Sequence, residues 1–462
     1  MAVYNIIKAG GTSCGTPQSL DIITDEAVRL HEESLRQDSE AVTLFIVSAT
    51  GSQKDRVIKA KNTDLLEKIA AGVDVGINIA EIKEREDEIT HSFGLPGDFN
   101  REHFVSMQKF LEDGSIIPDE RYSRVVTSVG ELLKRDQVAA ILNLKRNGIS
   151  VGVDESSTGL YTSNGFRNAK FLNYAQTCIA EEFAKPQYKG KIAVIAGFTG
   201  IDYDTKRLTT LERGGSDTSA VIFGVSLKTP RIIIYSDSIL RRCDPRIVPG
   251  AVEIDGVTYS EMEEFIGFGS NLVSERANDF AERNLVELVL RDTFRLGKET
   301  AVSPRFANSN GGVKGIAARD DLSLVVGGLT TEAGLYHQVT GILKDLGVSW
   351  TNEAGDTGCS SLILLPSPDY DLPEMAGKAL GKIKKTGLNP QLRYDVTRIG
   401  LIGQSIGNHP EQIGKVFTVL SKYGLPVEAL SKPINGNSVC IVTGSTYANH
   451  LVADIHDLIF KK

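Results

Sequence analysis

The sequence predicts an α/β protein: a three-layer α/β/α sandwich with a mostly parallel sheet, followed by two smaller α+β units of βαββ form. Three observations carry this. Continuous apolar runs of strand length, above all Ala41–Ser48 and Arg231–Tyr235, have the composition of strands buried on both faces. They alternate with helix-length stretches, the order that builds a parallel sheet covered on both sides. Beyond residue 310 a pattern of strand, helix, strand, strand occurs twice.

The chain of 462 residues is 41% hydrophobic and 24% charged, with a formal net charge of −8. That balance suits a soluble globular protein. With no basic stripe, it argues against a dedicated nucleic-acid binder. Local Arg and Lys can still gather small anions. Cys14, Cys178, Cys243, Cys359 and Cys440 are scattered, with no Cys-x-x-Cys pair. Neither a zinc site nor a disulfide framework is expected, and no protein metal-ligand set is assigned. A reducing, cytoplasmic setting fits. There is no signal-peptide pattern and no apolar run of membrane-spanning length, so no membrane association is expected.

Taken in order, Val3–Ile7 reads as a strand and Pro17–Arg36 as a helix. Between them lies Lys8-Ala9-Gly10-Gly11-Thr12-Ser13. Strand, glycine loop and helix can cradle a phosphate, although the Walker spacing is absent. The alternative is a tight turn with a solvated lysine. Ala41–Ser48 is a buried strand, and Ala49-Thr50-Gly51-Ser52 follows at its C-terminal end, where open α/β sheets place ligands. The stretch 55–110 is helix-prone, and its dense charge run Glu81–Glu88 reads as a solvated face. A further helical region, Asp119–Asn147, contains Ser128-Val129-Gly130-Glu131. That spacing fits a capping box; the functional alternative sends Glu131 into a cleft.

Ile149–Val153, Lys191–Ala196 and Leu285–Leu290 read as further strands, with a hairpin-like passage over Ile201–Leu208. Helices are expected at Ser260–Ile266 and Arg276–Arg283. Thr209–Ala220 packs Arg213, Gly214, Gly215, Ser216 and Asp217 ahead of an apolar run. A helix starting there would aim N–H groups at an anion, and Arg213 could hold a carboxylate or phosphate through two bonds. An ordinary loop with Ser216 or Asp217 as N-cap is the alternative. The texture changes over Ala301–Asn310, and the repeat follows, with Gly347 and Gly424 at matching helix-to-strand turns.

Together these motifs resemble the aspartokinases of the amino-acid-kinase family. Lys8–Ser13 is similar to that family's Lys-Phe-Gly-Gly-Thr-Ser, and Val47–Gly51 to its second-strand signature. Ser128–Glu131 is similar to Ser-x-Gly-Glu, and Gly197–Gly200 to Gly-Phe-x-Gly. Thr209–Ala220 is similar to Thr-Thr-Leu-Gly-Arg-Gly-Gly-Ser-Asp, and Asp244-Pro245-Arg246 to Asp-Pro-Arg. The tail resembles tandem ACT regulatory domains. The resemblance implies an amino-acid-kinase domain over 1–302 and ACT domains over 312–390 and 391–462. It implies transfer of the γ-phosphoryl of ATP, with Mg²⁺, to the side-chain carboxylate of L-aspartate.

In that reading Lys8 and Asp217 are catalytic. Arg213 clamps the substrate α-carboxylate, Glu131 meets the α-ammonium, and Ser48, Gly214 and Ser216 complete the substrate site. ATP is held by Lys8, Gly10, Gly11, Ser13, Gly215, Ser236, Asp237, Arg241 and Arg246, with backbone donors at Gly10, Gly11, Gly214 and Gly215. The resemblance further implies a homodimer through the ACT domains and a lysine or threonine effector near Thr330–Leu335 and Asp356–Ser361. The chain departs from the family at Glu212, where Gly is usual, and at Gln53 or Lys54, aligned with a Thr. Asn271–Arg276 stands where the family has Lys-Val-Leu-His-Pro-Arg, so a nucleotide-contacting Lys is missing. Other readings are a kinase for a different amino-acid carboxylate and a non-catalytic amino-acid-binding regulator.

Overall fold

A computed structural model describes residues 3–51, 61–307, 311–327, 333–348, 350–354, 359–364, 371–431 and 436–461. The chain packs as two units. Unit 1 is Met1–Ile239, Asp255–Tyr259 and Asn271–Arg305; unit 2 is Leu240–Ile254, Ser260–Ser270 and Phe306–Lys462.

Unit 1 begins with β1 (Tyr4–Ala9), α1 (Pro17–Leu35) and β2 (Val42–Val47). Then come α2 (Asn62–Ala70), α3 (Val75–Ser92), α4 (Arg101–Glu112), α5 (Pro118–Thr127), α6 (Leu133–Lys145) and β3 (Ser150–Gly152). Next are β4 (Tyr161–Thr162), α7 (Ala175–Phe183), β5 (Ile192–Ala196), β6 (Thr199–Asp202), β7 (Leu208–Thr210), α8 (Gly215–Ser226) and β8 (Arg231–Ser236). It closes with β9 (Gly256–Val257), α9 (Tyr259–Gly267), of which only Tyr259 lies in unit 1, α10 (Glu275–Arg283), β10 (Glu287–Asp292) and β11 (Glu299–Val302).

The main sheet runs β3-β5-β2-β1-β8-β10-β11-β9. Its first six strands are parallel, and β11 turns antiparallel on β10. Every residue of β2 is buried, as the unbroken apolar run predicts. Ile7, Phe45 and Val194 pack in one core with residues of α1 and α6. The alternate positions face α8: a Cβ on Gly224 would lie 2.6 Å from Ile232 Cδ1 and 3.8 Å from Ile6 Cγ1. Two helical layers thus cover the sheet, in agreement with the predicted sandwich. β4, β6 and β7 form a separate small sheet that contains the expected hairpin. α1 is opened by a capping box between Thr16 and Ser19, with Pro17 in the first turn.

One expectation is corrected here. The Glu81–Glu88 run is not simply a solvated face, because Arg85 and Glu86 are 4% and 1% exposed. Glu86 pairs with the fully buried Lys134 at 2.9 Å and accepts hydrogen bonds from Thr50 Oγ1 at 2.6 Å and Asn62 Nδ2 at 2.7 Å.

Unit 2 contains β12 (Gly315–Gly327), α11 (Ala333–Asp345), β13 (Trp350–Ala354), β14 (Cys359–Leu364) and α12 (Leu372–Lys384). The second half is β15 (Gln391–Ile402), α13 (Pro410–Tyr423), β16 (Ala429–Ser431), β17 (Ser438–Gly444) and α14 (Ala448–Phe460). The six strands form one antiparallel sheet in the order β13-β14-β12-β15-β17-β16. The repeat is therefore real, with β12 and β15 paired at its centre. Gly347 (φ 70°) and Gly424 (φ 64°) end the equivalent helices in the left-handed region where glycine is favoured. Both halves close with a helix. The sequence reading foresaw only the second. Asp371 caps α12 by accepting the Glu374 N–H at 2.8 Å.

Ser260–Ser270 packs in the same unit as this sheet. A Cβ on Gly400 would lie 2.4 Å from the Phe268 ring, and Glu261, fully buried, pairs with Lys314 at 2.7 Å. No helix among the described residues is long and apolar enough to cross a membrane.

Candidate active site

In unit 1, β1 lies between β2 and β8, so successive connections leave it in opposite directions. This is the topological switch point at which open α/β sheets bind ligands. Lys8 sits there, one residue before the end of β1, paired across to Ile46 and Ile234. The loops beyond the strand ends pack closely enough to require glycine. Gly51 donates its N–H to the Gly11 carbonyl at 2.8 Å, and a Cβ on Gly51 would lie 2.5 Å from the Gly11 carbonyl carbon. A Cβ on Gly197 would lie 2.8 Å from both Ser216 Cβ and the Val47 carbonyl oxygen.

Lys8 Nζ lies 2.6 Å from Asp217 Oδ1, and each side chain is about nine-tenths buried. The approach is not along a hydrogen-bond direction, so among the described residues Asp217 Oδ1 has no directed donor. The contact holds the ammonium by charge and leaves its N–H groups free to turn to another anion. Asp217 Oδ2 accepts the Ser274 N–H at 3.0 Å. Asp217 lies in the first turn of α8, whose N-cap is Gly214 (φ 77°) with no side-chain cap. The plain N-cap reading of Ser216 or Asp217 therefore fails. The opening N–H groups of α8, those of Gly215 and Ser216, have no intrahelical acceptor and suit an anion.

Two expected phosphate contacts are changed by the structure. The Gly10 N–H already donates to the Tyr235 carbonyl at 3.0 Å, continuing the ladder between β1 and β8. Gly10 thus gives close approach rather than a donor. The Ser13 hydroxyl is fully buried and bonded to Thr293 Oγ1 at 2.7 Å, tying the glycine loop to the end of β10. Nothing in the sequence pattern flagged Thr293, because its partner lies 280 positions away.

Glu131 is placed by a wide turn. Ser128–Leu132 is a π-helical turn between α5 and α6, with no side-chain cap, so the capping-box reading also fails. The Glu131 residue is 4% exposed; Oε1 accepts the Ala49 N–H at 3.4 Å, and among the described residues Oε2 has no hydrogen-bond partner. Burial without a cation pushes its carboxyl up to about 8, against the weaker opposing effect of the Ala49 N–H. Arg213 is exposed at the other side of the motif turn, and among the described residues its guanidinium has no carboxylate partner. Ser48 lies half-buried just after β2. Glu212 pairs with Arg276 at 2.8 Å, so this carboxylate beside the cleft is neutralised from α10.

Residues 4–292 match the profile of the amino acid kinase family. The chain belongs to the amino acid kinase family. This amino acid kinase is 25% identical over 402 residues to an aspartokinase of Geobacillus stearothermophilus, covering 85% of this chain and 91% of that one. It is 25% identical over 383 residues to an aspartate kinase of Pseudomonas fluorescens (strain SBW25), covering 80% and 89%. Its fold is similar to that of E. coli aspartokinase III in complex with aspartate and ADP, with a TM-score of 0.74 and 19% identity over 99% of this chain and 100% of that one. The aspartate kinase of Clostridium acetobutylicum has a TM-score of 0.73 at 19% identity, with both chains covered fully.

The remaining predicted residues of this amino acid kinase are spread more widely. Ser236 and Asp237 follow β8 in unit 1, with Ser236 Oγ 3.4 Å from Asp237 Oδ1. Arg241 and Arg246 fall in unit 2, where Arg241 pairs with Glu253 at 3.3 Å and Arg246 with Asp244 at 2.6 Å. Gln53 and Lys54 lie outside the described residues, as do 330–332 and 356–358.

Proposed function

We propose that this amino acid kinase transfers the γ-phosphoryl group of ATP to the side-chain carboxylate of L-aspartate, giving 4-phospho-L-aspartate and ADP. The observation that carries the reading is the Lys8–Asp217 pair at the switch point, in the same unit as a buried unpaired acid, Glu131, and an uncommitted cation, Arg213. An α-amino acid needs one anchor of each sign. The aspartokinase relatives, and the aspartate and ADP held by the E. coli protein, support the same substrates.

The chemistry asks little of a base, because a side-chain carboxylate is already ionised near pH 7. The task is to align two anions and offset the charge between them. Lys8 lies along the transferring phosphoryl group and Asp217 orients it. The Gly11 N–H and the first turn of α8 receive phosphate oxygens, while Gly10 and Gly51 keep the loops thin enough for close approach. Arg213 holds the α-carboxylate and Glu131 the α-ammonium, with Ser48 and Ser216 between them. Mg²⁺, when bound with the nucleotide, neutralises phosphate charge.

Trapping of the acyl phosphate with hydroxylamine tests this. Hydroxamate formed with L-aspartate and ATP supports the reading. Hydroxamate formed only with another amino-acid carboxylate moves the substrate, and ATP binding without any hydroxamate removes the activity.

The reading extends to the first step of lysine, threonine and methionine synthesis in the cytoplasm, in a homodimer paired through the C-terminal repeat, with lysine or threonine as effector. A melting-temperature panel of free amino acids checks the effector. A rise with lysine or threonine alone is expected, since a ligand that binds only the folded state stabilises it. A flat panel would end the effector assignment.

A further inference from the structure

The segment Asn271–Arg276 has lost the lysine that its counterpart carries, yet it is closely engaged with the motif turn 212–217. Three contacts join them. Arg276 pairs with Glu212 at 2.8 Å. Ser274 Oγ donates to the Gly214 carbonyl at 3.2 Å while capping α10 through the Ala277 N–H at 3.3 Å. The Ser274 N–H donates to Asp217 Oδ2 at 3.0 Å. The fit is tight, because a Cβ on Gly214 would lie 2.4 Å from Ser274 Cβ.

Among the described residues, Ser274 N–H is the one directed donor on the Asp217 carboxylate, since Oδ1 meets Lys8 off-axis. Rotation of this carboxylate about its Cβ–Cγ bond would draw Lys8 Nζ with it. A fixed backbone donor on the far oxygen prevents that rotation. Residue 212 departs from the family pattern, a carboxylate entering where Gly is usual, and Arg276, an arginine the pattern also has, faces it.

We propose that Ser274–Arg276 is a positioning clamp for the 212–217 turn, in which the Ser274 N–H fixes Asp217 so that Lys8 is presented to the phosphoryl group. The proposal rests on the kinase reading of Lys8 and Asp217. Ser274 is a positioning residue and touches no substrate in this scheme.

Proline dissects the clamp. Ser274 has φ −74° and ψ 147°, a conformation proline adopts freely. Ser274→Ala removes the hydroxyl contacts and keeps the N–H; Ser274→Pro removes both. Both lose the helix cap, so both lose similar thermal stability. In the full-length chain, Ser274→Ala is expected to keep kcat within about threefold, while Ser274→Pro lowers it about tenfold or more with KM for aspartate little changed. Equal kcat in the two variants would overturn the clamp.

A second pair covers the case in which Ser274→Pro does not fold. Gly214→Ala, strained by its φ of 77° as well as by the facing Ser274 Cβ, should depress kcat, and adding Ser274→Gly, which removes that Cβ and keeps the N–H, should recover part of it. A double variant no faster than Gly214→Ala alone also overturns the clamp. Asp217→Asn separates the two levels. If it retains the wild-type rate, the kinase reading of the pair fails. If it is inactive while Ser274→Pro is not, only the clamp fails.

Discussion

Lys8→Ala abolishes measurable hydroxamate formation, with kcat reduced about a thousandfold or more, roughly 4 kcal/mol of transition-state stabilisation. The size follows from position. Lys8 is a nine-tenths buried ammonium at the end of a central strand, where a developing charge between two anions has little water to screen it. The single variant also leaves Asp217 buried without its cation, at a stability cost of about 3 kcal/mol. The double variant Lys8→Ala/Asp217→Asn separates the effects: it should regain most of the lost melting temperature and none of the rate. Steady-state kcat and thermal melts on the three proteins check this. A Lys8→Ala rate within about tenfold of wild type would remove Lys8 from the chemistry.

Glu131 gives the second large effect, and it depends on pH. Its carboxyl is raised to about 8, so it is protonated in the folded protein at pH 7 but ionised in the unfolded chain. The unfolded state therefore binds fewer protons between about pH 4.5 and 8, and stability falls as pH rises through that window. Between pH 5 and pH 8 the loss is about 3 kcal/mol for this group. Glu131→Gln lacks the titration, so its melting temperature should overtake that of the wild type as pH rises.

Binding follows the same proton. An α-ammonium seated against Glu131 favours the carboxylate, so aspartate binding releases up to one proton. KM for aspartate should then rise as pH falls below 8, approaching tenfold per unit. Glu131→Gln should raise KM about a hundredfold and flatten its pH dependence, because an ionic partner is replaced by a dipole. Aspartate titrations in buffers of different ionisation enthalpy measure the proton directly. A KM for wild type that is level from pH 6 to 9 would mean that Glu131 does not receive the ammonium.

Much of the sheet was legible because a strand buried on both faces has no choice of composition. Val42–Val47 and Ile192–Ala196 could be read as continuous apolar runs for that reason. The edge was not: β9 has two residues, and β11 mixes Glu299 and Thr300 with Ala301 and Val302, so neither shows a period. In the candidate site, Lys8, Glu131, Arg213 and Asp217 stood out because several short motifs in one order together resemble a known family, where each alone is weak. Their partners did not. Ser274 meets Asp217 across 57 positions, Thr293 meets Ser13 across 280, and Lys134 meets Glu86 across 48. A serine before a helix reads as a cap, a lysine in a helix as solvated, and only tertiary closure gives either a second role. Glu212 shows the converse. It looked like a misplaced charge until Arg276 was found to face it.

The wide turn at Ser128–Leu132 has an evolutionary consequence. A π turn holds one residue more than the α turn it replaces. Each residue advances an α-helix by about 100°, so an insertion here reorients one side chain while the helix axes before and after it continue. Gly130 stands with its α-carbon toward Ala49, where an added Cβ would lie 3.3 Å from Ala49 Cβ, and Glu131 is delivered inward beside it. A lineage that dropped this extra residue would regain a regular helix from Pro118 to Lys145 and lose the acid from the cleft. The irregular turn thus delivers Glu131 inward at the expense of the regularity of the helix that carries it.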